Sequence, residues 1–193
     1  MKPSKLIEPI IVIFIILAAS VANFWHIIWH YFNRLPNTVF VGISHFHEDY
    51  FYYLTQVTQG AQGSWMIKNL YTTEAIPASP LWFTNIFIGK IAGVFNLYPW
   101  TAYNAGLFAA TLISLFLIYI TSKKLFPKNA VLRISAFVIS ITTTCYYTYS
   151  KSPDGTLLIQ PIQYFYNYTA SLNRMGGVFH LIIQNILTLW QFW

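Results

Sequence analysis

The stretch LWFTNIFIGKIAGVFNL, residues 81–97, decides how this chain is folded. It is apolar enough to resemble a membrane span, yet it is short for a helical crossing, which takes about 20 residues. Asn85, Gly89, Gly93 and Asn96 are spaced by four, four and three, which puts them on one helical face, with Lys90 beside them. Leu81, Phe83, Phe87, Ile88, Ile91, Val94 and Phe95 dominate the rest. That division predicts a helix lying flat in the membrane interface rather than through it.

The charges on either side discriminate between the two placements. No charged residue occurs between Glu8 and Arg34, and the apolar run from Pro9 to Trp29 is long enough to cross. Lys2 and Lys5 precede it like the basic start of a signal peptide, but the run is longer than a signal core and no small-x-small cleavage site follows, so it reads as an uncleaved first span. Trp100 to Ile120 forms the next full-length run, ending at Lys123, Lys124 and Lys128, with Arg133 just beyond. If 81–97 also crossed, that basic cluster would emerge on the side opposite Lys2 and Lys5, against the tendency of basic residues to stay in the cytoplasm. A flat 81–97 returns the cluster to the cytoplasmic side.

The expected layout is therefore all-α. It is a single membrane-embedded domain over 1–193, with transmembrane helices at about 9–29, 100–121, 130–148 and 176–193 and an amphipathic interfacial helix at 81–97 in the first outer loop. The amino terminus and the 122–133 turn are cytoplasmic, and 30–80 and 149–175 are outer loops. Glu48, Asp49, Glu74 and Asp154 then face outward, and Glu8 alone among the acids does not.

Composition agrees with the membrane class. Hydrophobic residues make up 56% and charged residues 8%, where a soluble domain carries about a quarter charged. Aromatic residues reach 19%, and Tyr and Trp favour the membrane–water boundary. The net charge of +6 comes from basic residues at the ends of apolar runs, not from a basic stripe, which argues against a nucleic-acid partner. The single Cys145 excludes an internal disulfide and any multi-cysteine zinc site.

The densest polar constellation is Ser44-His45-Phe46-His47-Glu48-Asp49-Tyr50, followed by a helix expected over Tyr50 to Gln59 and a turn at Gly60. Glu48 and Asp49 are candidates for a general base acting on an acceptor hydroxyl. His45, His47 and Glu48 are candidate ligands for a divalent cation, since residues two apart in an extended segment point the same way. Against both readings, Asp49 ahead of Tyr50 suits a helix cap, and the other three suit a solvated loop. Candidates for a positive charge beside this site are few: Arg34, Lys68, Lys90, Arg174 and His180. Lys90 suits lipid headgroups, and Arg174 suits an interface anchor as well as an anion. Glu74 is a further acidic candidate. The aromatic run Gln163 to Tyr168 suits sugar stacking or an interfacial belt equally.

In this order the features resemble the GT-C superfamily of membrane glycosyltransferases, which use polyprenyl-phosphate-linked sugars. Aminoarabinose transferases and protein O-mannosyltransferases share the plan, and uncharacterised bacterial members are most similar. The likeness rests on a first span, an outer loop opening with Glu48-Asp49, then Tyr50-Phe51-Tyr52-Tyr53-Leu54, Gln59-Gly60, Tyr71-Thr72-Thr73-Glu74, Pro80-Leu81-Trp82, a short amphipathic helix, a further span and a basic turn. The resemblance implies a transferase at the outer face of the plasma (inner) membrane, with Asp49 as base, Glu48 as neighbour or substitute, and Arg174, Lys68, His180 or Glu74 contacting the lipid-phosphate donor or substrate. The implied partners are the lipid bilayer and a polyprenyl-phosphate-linked sugar, with a divalent cation as an open question. Such enzymes have more spans than this chain holds, and Leu187 to Trp193 reads like the middle of a helix. The expectation is therefore an amino-terminal portion of a larger protein, inactive on its own. A non-enzymatic membrane scaffold or assembly subunit is the alternative.

Overall fold

The computed structural model describes residues 4–42, 47–80, 83–142, 147–151, 155, 157–161 and 179–191. The readings at His45, Cys145, Asp154, 163–168 and Arg174 lie outside them, as do the side chains of His47 and Glu48. The helices are α1 (Ser4–Phe32), α2 (His47–Ala61), α3 (Phe83–Phe95), α4 (Pro99–Leu125), α5 (Ala130–Thr142) and α6 (Phe179–Gln191). A hairpin of β1 (Tyr147–Lys151) and β2 (Leu157–Pro161) lies between α5 and α6.

Two helices, α1 and α4, are long and apolar enough to cross a membrane, with mean hydropathies of 2.3 and 1.9. Both leave large apolar side chains on their outward faces, Ile10, Phe14, Leu17 and Val21 on α1 and Phe108, Ile113 and Phe116 on α4. A contiguous apolar surface of this kind is costly in water and at home in hydrocarbon. Inward, Val12, Ala19, Phe24, Leu107, Ala110 and Leu115 join one core with Phe137, Ile141, Phe179 and Ile182.

The two long helices run antiparallel. Glu8 near the start of α1 meets Tyr119 near the end of α4, with Tyr119 Oη donating to Glu8 Oε1 at 2.9 Å. Farther along, Phe24 packs edge-on against Phe108 with ring centroids 5.3 Å apart. The amino-terminal end of α1 and the turn after α4 therefore share one end of the bundle.

The expected span at 130–148 needs correction at its far end. Helix α5 stops at Thr142 and the chain is extended again by Tyr147. Its 13 residues reach about 20 Å, short of a ~30 Å hydrocarbon layer. The Tyr and Thr residues at 147–149 favour extended backbone, a preference that hydropathy does not register. Helix α6 covers 13 described residues within the expected 176–193 run. The described fold is predominantly helical, as expected, with one short hairpin added in the register Tyr149↔Ile159; Gly155 between its strands has φ 85°, a conformation open to glycine.

Helices α2 and α3 form a tight pair. A Cβ on Gly60 would collide with the Ile86 carbonyl, one on Gly89 with the Val57 carbonyl, and one on Gly93 would lie 2.7 Å from the Ala61 carbonyl oxygen. Between them Asn85 Nδ2 donates to Gln56 Oε1 at 2.6 Å, both residues fully buried. The Asn85–Gly89–Gly93 face is thus a packing face against α2, not a face turned to water. Phe83, Phe87, Ile91, Val94 and Phe95 point outward.

Candidate functional site

Helix α2 starts at His47, three residues earlier than its expected start at Tyr50. Glu48 and Asp49 therefore belong to its first turn rather than to a loop ahead of it. His47 is helical too, so the extended geometry expected for a His45–His47 pair does not hold at His47. A carboxylate in a first turn sits favourably beside free backbone N–H groups and the positive end of the helix dipole. Asp49 is exposed, whereas its neighbour Tyr50 is buried.

Tyr50 and Tyr53 are three apart and share the face of α2 that packs on the start of α4. The Tyr50 hydroxyl donates to the Val41 carbonyl at 2.8 Å and accepts from Asn104 Nδ2 at 3.1 Å. Asn104 Nδ2 is also within reach of the carbonyls of Gly42, at 3.3 Å, and Trp100, at 2.9 Å. Gly42 has φ 80° and a Cβ there would strike the Asn104 amide, so this position requires glycine. The Tyr103 ring stacks on Tyr53, centroids 6.1 Å apart at 16°, and meets Tyr50 edge-on at 5.4 Å. The Phe179 backbone N–H points at the Tyr103 hydroxyl, 3.4 Å away, and the half-buried His180 ring stands edge-on to Tyr53 at 5.7 Å.

The start of α6 is thereby brought against the start of α2. The Asp49 charge acts on Tyr53, Tyr103 and His180 together. Burial pushes the Tyr53 hydroxyl up to about 12, with the Asp49 charge adding to it. Burial also pushes Tyr50 up to about 12 against the opposing hydrogen bond from Asn104. These tyrosines are neutral stacking and hydrogen-bonding groups at physiological pH.

Other sequence candidates lie elsewhere. Lys68 is held through its backbone by Gln59, which accepts from the Lys68 N–H at 2.8 Å and donates to its carbonyl at 3.0 Å. Gln59 is ten residues along α2 from Asp49, about 15 Å, so Lys68 belongs to the far end of that helix. Glu74 sits in an exposed turn where its N–H reaches Thr72 Oγ1 at 3.2 Å. The Lys90 ammonium donates to the Gly63 carbonyl and covers the Trp65 ring 4.5 Å from the centroid. Arg34 lies over the Tyr31 ring at 5.5 Å. Among the described residues no three His, Cys, Asp or Glu side chains converge.

Tyr103 and Asn104 escaped the sequence reading. The signal was present as Tyr103-Asn104, two hydrogen-bonding residues in the opening turns of a long apolar helix, where a polar group is costly unless it has partners.

Comparison with protein-family models, curated proteins and solved structures returned no match.

Proposed function

We propose that this chain carries the base and part of the donor site of a membrane glycosyltransferase, moving a sugar from a polyprenyl phosphate to an acceptor hydroxyl at the outer face of a bacterial plasma membrane. The observation that carries the reading is the placement of Asp49. It is an exposed carboxylate at a helix start, beside His180 and a tyrosine stack. From Tyr103 at that stack to Tyr119 at the Glu8 end is sixteen residues of α4, about 24 Å, close to the depth of a hydrocarbon layer. The site and the basic 122–133 turn thus belong to opposite membrane faces, with the turn and the amino terminus cytoplasmic. Exposed Trp25 and Trp29 on α1, and Tyr98 stacked on Trp100 at 6.4 Å, mark the outer boundary. Helix α3 ends just before Tyr98 and turns its apolar face outward at that level, which supports a flat interfacial position.

Asp49 takes the proton of the acceptor hydroxyl as its oxygen forms the new bond to the sugar C1. The C1–O bond to phosphate breaks, and the lipid phosphate leaves as an anion without needing an acid. His180 and Arg174, which precedes α6 in sequence, supply donors to that phosphate. Membranes carrying the full-length protein and supplied with a polyprenyl-phosphate-linked sugar test this. Asp49→Asn, at an exposed position, is expected to lower transfer by about 10²- to 10⁴-fold while the protein stays folded. Undiminished transfer removes Asp49 as the base. Absence of transfer by the unaltered full-length protein, with stable copurification of other membrane proteins, favours the scaffold reading.

A further inference from the structure

We propose that the groove along the loop-facing side of α2 is a binding subsite for a neutral oligosaccharide. The name acceptor for that saccharide rests on the transferase reading, while the binding itself does not. The groove has a volume of about 310 Å³ and lies between α2 and residues 70–71, at the lower end of the roughly 300–1,000 Å³ range of ligand pockets. One wall is a stripe of α2, Phe51, Thr55 and Thr58, continued by Gln62 in the turn just past its end, spaced by four, three and four. It is not the Tyr50–Tyr53 face that meets α4. Tyr71 and Leu70 form the opposite wall.

The lining fits the two-sided chemistry of a sugar ring. Phe51 is 47% exposed and Tyr71 62%, so both rings offer open faces to the C–H side of a pyranose. The Thr55 hydroxyl donates to the Tyr52 carbonyl at 2.7 Å and the Thr58 hydroxyl to the Leu54 carbonyl at 2.8 Å. With their protons committed to the helix, both oxygens present lone pairs to hydroxyl donors. Gln62 offers an amide donor and acceptor. No charged side chain lines the groove among the described residues, so an anionic or cationic ligand finds no counter-charge. A bare acyl chain makes no use of the hydroxyls and amide.

The second wall is held in place before any ligand arrives. Gln59 clamps both backbone groups of Lys68, Asn69 Oδ1 accepts from the Tyr71 N–H at 2.9 Å, and the Tyr71 ring rests 5.8 Å from Tyr52. Residues 67 and 79 close the loop through reciprocal 2.9 Å backbone bonds. Such preorganisation lowers the ordering cost of binding. From Gln62 to Phe51 the stripe runs about 16 Å along α2, toward the turn that carries Asp49.

The full chain in lipid nanodiscs, free of maltoside detergent, is titrated with maltotriose, mannotriose and chitotriose by saturation-transfer NMR. At least one is expected to bind saturably, with Tyr71→Ala and Thr58→Val each weakening it about tenfold or more. Circular dichroism confirms that the variants keep their helix content, and Phe51→Ala replaces any that does not. No saturable binding by all three trisaccharides, or binding indifferent to the groove variants, overturns the proposal. Loss of transfer in Asp49→Asn alongside absent trisaccharide binding removes the groove and leaves the transferase reading standing. Groove-dependent binding with undiminished transfer in Asp49→Asn does the reverse.

Discussion

Arg133 grips Glu8 with two parallel hydrogen bonds, Nε to Oε1 at 2.7 Å and Nη2 to Oε2 at 2.6 Å. Its Nη1 donates to the carbonyls of Phe126, at 3.1 Å, and Pro127, at 2.7 Å, while Tyr119 donates to the same carboxylate. One guanidinium thus ties the start of α1, the end of α4, the turn and α5 at a single point. The side chains are only 11% and 18% exposed, so neither charge is well solvated if the other is removed.

Arg133→Met is therefore expected to destabilise the fold by roughly 3 kcal/mol, because it strands a mostly buried carboxylate. Adding Glu8→Leu to it should restore much of the loss, since two apolar side chains carry no desolvation cost. Unfolding midpoints in a fixed lipid mixture complete the double-mutant cycle. A double variant as unstable as the sum of the two single changes contradicts the staple.

The α2–α3 contact makes a ranked prediction about two helical glycines. At Gly89 an added Cβ meets backbone, the Val57 carbonyl and, at 2.8 Å, the Gly60 Cα. At Gly106 it meets the end of a flexible side chain, Ile88 Cδ1 at 2.6 Å. Gly89→Ala should cost about 2–3 kcal/mol as the helices are pushed apart. Gly106→Ala should be close to neutral, the shift of Ile88 being offset by a helix-propensity gain of up to about 1 kcal/mol. Equal costs at the two positions would show that the close approach is not as tight as described.

These residues also show where the sequence is legible. The ends of the long helices are marked by Lys123, Lys124 and the charge-free run after Glu8, because hydrocarbon tolerates few charges. The Asn85–Gly89–Gly93 face was visible as a face, but its surroundings were not. Small and amide residues suit water and close helix packing equally, and only Gly60 and Gln56 on another helix decide between them. Asp49 stood out as a local acidic signal. The stack around it did not, since Tyr53, Tyr103 and Phe179 come from three separate segments and no local pattern joins them. Glu8 looked like the odd acid on the cytoplasmic side until Arg133 supplied its reason.

Tyr50 and Tyr53 predict an alkaline stability limit. Each is held near 12 in the folded chain, against about 10 when unfolded. The folded state keeps these protons after the unfolded state has lost them. Their contribution is complete below about pH 10 and disappears as pH rises through about 12. Each accounts for roughly 2–3 kcal/mol over that window. Stability measured against pH should fall steeply between 10 and 12, and a Tyr50→Phe, Tyr53→Phe double variant should flatten the slope. An unchanged slope in that variant assigns the alkaline loss elsewhere.

The outward face of α3 allows its proposed flat position to be measured. Phe83, Phe87, Ile91 and Val94 lie along one exposed stripe, and from Phe83 to Val94 the helix rises about 16 Å. Spin labels placed singly at these positions in bilayers report depth through their relative accessibility to oxygen and to a water-soluble nickel chelate. A flat helix gives four similar depths near the headgroup boundary, whereas a crossing helix spreads them by most of those 16 Å. A label at Phe14 on α1, in the middle of the long apolar run, should read far deeper than any of the four. A steady gradient from Phe83 to Val94 would mean that α3 enters the hydrocarbon, and the assignment of Asp49 to the outer face would lose its topological support.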